Sequence, residues 1–216
     1  MKTVIFAGPS ISRGRLKETT NDYVVPPVRR GDLGRFSDYD VFVIIDGEFG
    51  QSLAVSPKEI LCLLDRGKVV IGSSSMGALR ASELDAYGMI GVGWVYERFA
   101  SARVRRDDDV ALVYSPLDFR PITIPMVDVE YWVTVLGKEA CISGQEKRMI
   151  LRTARRIFFA ERTEARLMLK LEQAIGSNRL KYLLSCTSGA IPDIKYLDAR
   201  RAVEFADKLT YRTATD

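Results

Sequence analysis

Over its first ninety residues the chain alternates short apolar runs with segments of helical period. Thr3-Val4-Ile5-Phe6-Ala7 is β-branched and aromatic and stops at Gly8-Pro9, as a strand running into a turn does. A second run, Tyr23-Val24-Val25, stops at Pro26-Pro27. The third, Val41-Phe42-Val43-Ile44-Ile45, is apolar without alternation and ends at Asp46-Gly47, which predicts a parallel strand covered on both faces. A punctuated helix follows: Ser56 as N-cap, Pro57 in the first helical position, Glu59 to close a capping box, and Gly67 as the stop. Lys68-Val69-Val70-Ile71-Gly72 then predicts a strand, and the stretch from Ser75 to Leu84 a helix.

Beyond Gly88, the series from Gly91 to Phe99 reads as a further helix, and Val110-Ala111-Leu112-Val113-Tyr114 as a last edge strand. From Met126 onward the apolar positions fall at helical period, among them Ile150, Ile157, Leu167, Leu171, Val203 and Leu209. The expected fold class is α/β: a domain with an open parallel sheet over residues 1–125, then a helical extension over 126–216 that packs on the core or on a partner.

Charge sharpens this division. Residues 1–125 carry 16 basic and 16 acidic side chains, whereas 126–216 carry 16 and 12, so the whole net charge of +4 belongs to the helical part. Composition narrows the chemistry. There is no histidine, which excludes Ser-His-Asp and Cys-His catalysis, H-E-x-x-H metalloproteases and His-ligated zinc. Cys62, Cys141 and Cys186 are odd in number and form no C-x-x-C, so neither a disulfide framework nor a metal site is expected. With no signal-like h-region and no long apolar stretch, the expected location is a reducing cytoplasm, away from membranes. No cofactor is expected, since neither a P-loop nor a G-x-G-x-x-G is present.

The segment with most chemical promise is Gly72-Ser73-Ser74-Ser75-Met76-Gly77-Ala78-Leu79-Arg80, where a parallel strand feeds a helix. Ligands of open α/β sheets sit at such carboxyl ends, facing free N–H groups and a positive helix terminus. Ser75 followed by x-Gly partly matches a nucleophile elbow, although Ser73 stands where the first glycine would be. Three readings remain open at this turn: an N-cap with spare hydroxyls, an anion site and a nucleophile. Ser73, Ser74, Gly77, Arg80 and Glu83 are the candidate binding residues. Asp46 and Glu48 put carboxylates at the end of the neighbouring strand. Asp107-Asp108-Asp109, after Arg103, Arg105 and Arg106, reads as a solvated, self-neutralising loop. Arg152, Arg155 and Arg156 form a basic cluster on a helix, but interleaved acids argue against a dedicated nucleic-acid surface.

Seven ordered blocks, including Phe6-Ala7-Gly8-Pro9-Ser10, Pro26-Pro27-Val28-Arg29-Arg30-Gly31-Asp32-Leu33, Ser75-Met76-Gly77-Ala78-Leu79-Arg80-Ala81-Ser82-Glu83-Leu84 and Asp108-Asp109-Val110-Ala111, resemble the TfuA-like family over residues 1–127. The resemblance implies a partner of a YcaO enzyme in maturation of a ribosomally made precursor peptide. The implied step is backbone thioamidation, with sulfide released from a thiocarboxylated ThiS-like carrier protein. In that setting Ser75 would attack or orient water, and Lys58, Glu59, Asp46 or Glu83 would have to replace the missing imidazole. The family pattern also implies a histidine where this chain has Pro57, and a carboxylate, an amide and a cation where it has Ile124, Asp128 and Glu130. A non-enzymatic scaffold or allosteric subunit binding YcaO and its peptide is therefore the alternative.

Overall fold

The structure, a computed structural model, describes residues 1–50, 52–101 and 106–212. They fall into two compact units: one of residues 1–105, 116–120 and 195–216, the other of 106–115 and 121–194.

The first unit is built on five strands: β1 (Thr3–Phe6), β2 (Tyr23–Val25), β3 (Val41–Ile44), β4 (Val69–Ser73) and β5 (Ile90–Val92). All pairings are parallel and the order is β2-β1-β3-β4-β5. This 2-1-3-4-5 order belongs to doubly wound sheets, with the crevice for ligands where the order reverses, at the carboxyl ends of β1 and β3. The strands are the expected ones up to β4. The segment read as a helix from Gly91 instead gives Gly91 and Val92 to β5, and α4 (Trp94–Ala100) begins only after Gly93. The ring of Tyr96 lies over Gly91, and Gly93 has φ 99, a break that ends the strand. The edge strand expected at 110–114 is absent, and the strand-like pairing there is an isolated bridge of Tyr114 to Pro121.

The helices of this unit are α1 (Arg13–Thr19), α2 (Pro57–Leu64), α3 (Met76–Leu84), α4 and α9 (Ile194–Arg212). Strand geometry sends alternate side chains to opposite faces. Ile5, Val41, Val43, Ile45 and Ile71 meet Leu16 of α1 and Ala199, Ala202, Val203 and Ala206 of α9. The other face receives α2 and α3, with Gly72 against Gly77 and Ala81.

The second unit consists of α5 (Met126–Lys138), α6 (Gly144–Arg155), α7 (Glu164–Ile175) and α8 (Ser177–Ser185) around fully buried Trp132, whose Nε1 donates to Thr187 Oγ1 at 3.0 Å. Ser143 and Glu146 close a capping box on α6, and Arg179 of α8 binds the same carboxylate at 2.6 Å. Together these donors hold Glu146 at a pKa of about 2. Arg162 is buried and donates to Ala154 O and Ile157 O, carbonyls at the end of α6, and to Ile124 O just before α5. Burial depresses its pKa.

The Cys141 thiol donates to Glu139 O at 3.5 Å. The neighbouring Cys186 thiol, ahead of burial, raises the Cys141 pKa. Because the thiolate is the nucleophile, iodoacetamide at pH 8 should modify Cys141 more slowly than exposed Cys62. Cys186→Ala, which removes the neighbouring thiol, should accelerate Cys141; peptide mapping by mass spectrometry measures both, and an unchanged rate would contradict the assignment.

Candidate functional site

The crevice between β1 and β3 is filled by the chain's own carboxylate. Asp46, 1% exposed, accepts from Gly8 N–H (2.9 Å), Ser10 N–H (3.0 Å) and Ser10 Oγ (2.6 Å). The N–H groups that could have received an external anion after β1 are thus satisfied internally. Asp46 shapes the β1 loop. The backbone after β3 continues the sheet: Val28 N–H donates to Asp46 O and Glu48 N–H to Val28 O, both at 3.0 Å, while Arg29 pairs with Glu48 at 3.2 Å.

Glu59 is similarly engaged. It accepts from Ser56 N–H (3.0 Å), Ser56 Oγ (2.8 Å) and Gly31 N–H (2.6 Å), which combines the expected capping box with a tether to the 29–32 turn. Lys58 is exposed on the first turn of α2, without the burial on which a lysine base depends. Arg80 is matched by Glu83 at 2.7 Å, and its Nε donates to Val55 O at 2.9 Å, so the pair fastens α3 to the segment before α2.

The β4–α3 turn remains, and its three serines play different parts. Ser73 Oγ, fully buried, lies 2.7 Å from Val92 O and 3.0 Å from Asp198 O. Ser74 Oγ donates to Lys195 O at 2.8 Å. Both hydroxyls dock the start of α9. Ser74 carries φ 65 while Ser75 N–H reaches Ser73 O at 2.7 Å, a γ-turn of the strained, positive-φ kind, costing about 1–3 kcal/mol for a residue with a side chain.

Ser75 differs from both neighbours. It is the N-cap residue of α3 yet makes no side-chain capping bond, and among the described residues its hydroxyl has no hydrogen-bond partner. Beside it, the N–H groups of Met76 and Ala78 likewise lack an acceptor among the described residues, whereas Gly77 N–H reaches Ile45 O at 3.3 Å. One hydroxyl and two free N–H groups therefore stand at the positive end of α3, donors of the kind that an oxyanion or a carboxylate takes. Gly77 and Gly72 set the height of this terminus, because a Cβ on Gly77 would fall on Ile44 O and one on Gly72 on Gly77 O. No candidate base hydrogen-bonds the Ser75 hydroxyl.

Sequence reasoning missed the contribution of α9. Asp198, fully buried, accepts from Val95 N–H at 2.7 Å and from Arg201 at 3.1 Å, and so caps α4. Burial, the largest influence, raises its pKa against those hydrogen bonds. A signal existed: Lys195 and Asp198 share a helix face with Ala202, polar groups interrupting an apolar stripe.

A doubly wound, all-parallel α/β unit with a tight serine-rich turn after its fourth strand defines the class. The chain belongs to the TfuA-like family, whose model matches residues 46–163, half of the chain and more. The match takes in the β4–α3 turn and continues past Val127 through α5 and α6. Family membership implies a YcaO-associated role. No curated protein matches the chain. Among the described residues, no helix is long and apolar enough to cross a membrane.

Proposed function

We propose that this protein supplies sulfide to a YcaO enzyme during backbone thioamidation of a precursor peptide, by hydrolysing the C-terminal thiocarboxylate of a ThiS-like carrier in a reducing cytoplasm. The observation that supports this reading is the unengaged Ser75 hydroxyl beside the free N–H groups of Met76 and Ala78. Water adds to the thioacid carbon, the resulting oxyanion is held by these donors, and the C–S bond breaks. Thiocarboxylate and water become carboxylate, hydrosulfide and a proton. Sulfide leaves readily, so the demand is for oxyanion stabilisation more than for a strong general acid. Ser75 acts here by holding the oxygen, in keeping with the absence of a base on its hydroxyl.

Ser75→Ala should lower sulfide release from thiocarboxylated carrier by about a hundredfold, the usual effect of deleting one oxyanion donor. Stability should change by no more than about 0.5 kcal/mol, since the hydroxyl has no partner to lose. Undiminished sulfide release from a folded variant would remove Ser75 from the chemistry.

The second reading, a non-enzymatic subunit that binds YcaO and its peptide, is favoured by one specific observation: Asp46, Glu59 and Glu83 are committed to structural contacts. In that case Ser75→Ala would leave co-purification with YcaO and the enzyme's peptide affinity unchanged, and the wild-type protein would release no sulfide.

A further inference from the structure

The basic cluster expected at 152–156 is split in two by the fold. Arg155 turns inward to Asp109 and Glu130. Arg152 and Arg156 turn outward, joined by Arg148, and the three line a groove of about 430 Å³ with Met149, Thr153 and Ala174. All three arginines are exposed, and among the described residues none has an ion pair or a side-chain hydrogen bond. No carboxylate lines the groove. The acid on α6, Glu146, is already held by Arg179 and the capping box. Three guanidiniums in one row are thus uncompensated, in the part of the chain that carries the whole net +4.

Their spacing restricts what fits. Residues four apart on a helix lie about 6 Å apart along its axis, so the row offers charges about 6 and 12 Å from the first. A helix bearing carboxylates at every fourth position presents the same interval. Between the arginines the groove is lined by Gln145, Met149, Thr153 and Ala174, whose apolar atoms suit aliphatic side-chain stems, and no aromatic ring lines it for a nucleobase to stack upon. We propose that the α6–α7 groove is a docking site for an acidic helical segment of a protein partner, read by Arg148, Arg152 and Arg156. The surface is independent of the Ser75 turn and of the chemistry proposed there.

The test uses the full chain and a fluorescein-labelled helical peptide with glutamate at every fourth position, followed by anisotropy. Wild type should bind it more tightly than a scrambled peptide of the same composition, and binding should weaken as salt rises. Changing Arg148, Arg152 and Arg156 together to Gln should weaken binding by roughly tenfold, the summed effect of three exposed pairs. A charge-matched control, with exposed Lys17, Arg66 and Lys208 changed to Gln, should bind as wild type does. Replacing the three arginines by Lys keeps the charges and should retain most of the affinity. Equal binding by the groove variant and wild type, with unchanged circular dichroism, would overturn the proposal. So would tighter binding of a labelled single-stranded oligonucleotide than of the peptide, which would assign the groove to nucleic acid.

Discussion

Gly77→Ala should destabilise the protein by about 4 kcal/mol or more, placing it among the most damaging single substitutions. The added Cβ would fall on Ile44 O and 2.6 Å from Ile44 C, and both atoms belong to the backbone of β3, pinned between β1 and β4. A flexible side chain could rotate away; a carbonyl in a central strand cannot. Helix α3 would have to withdraw until the contact reached an ordinary C···O separation of about 3.3 Å, breaking the bond from Gly77 N–H to Ile45 O and moving Ser75. The gain in helix propensity, about 1 kcal/mol, is too small to offset this. Gly137→Ala in α5 is the internal comparison: a Cβ there meets nothing within 4 Å, so that variant should be neutral or slightly stabilised. Urea denaturation of both variants measures the contrast, and a Gly77→Ala variant as stable as Gly137→Ala would refute the close-approach argument.

The same turn shows what local sequence can and cannot encode. The apolar run into Gly72, the serines and Gly77 mark a strand entering a helix, and the structure has β4 and α3 there with Ser75 as N-cap. Ser56, Pro57 and Glu59 form their capping box because all its partners lie within one turn. The division of labour among the serines was not legible. Ser73 and Ser74 are occupied by carbonyls of Asp198 and Lys195, more than 100 residues away, and no local pattern announces that α9 returns to the sheet. β5 escaped notice for another reason: three residues, one of them glycine and all half-buried, carry too little apolar signal to outweigh the helical period that follows. Arg103 and Arg105 lie outside the described residues.

Asp109 illustrates the same limit with a larger energetic consequence. Read locally, it is one of three aspartates in a solvated run; in the fold it is 4% exposed and lies 2.8 Å from Arg155. Glu130, 8% exposed, takes the other side of the same guanidinium. Burial works against the charge on Arg155, but the two carboxylates outweigh it and hold the group above its ordinary pKa. Arg155→Met, which keeps most of the side-chain volume, should therefore cost about 3–5 kcal/mol, because the guanidinium's ion pairs to two buried carboxylates are lost. Lysine should restore only part of the loss, since a point charge cannot reproduce the fork that engages both oxygens of Asp109 and reaches Glu130. The decisive measurement is a triple variant. Adding Asp109→Asn and Glu130→Gln to Arg155→Met removes the two carboxylate charges that Arg155 offsets, and if the deficit is electrostatic the triple variant should be more stable to urea than Arg155→Met alone. If the triple variant is instead less stable, with each substitution adding its own cost, the arginine matters for its packing and not for the charges it separates.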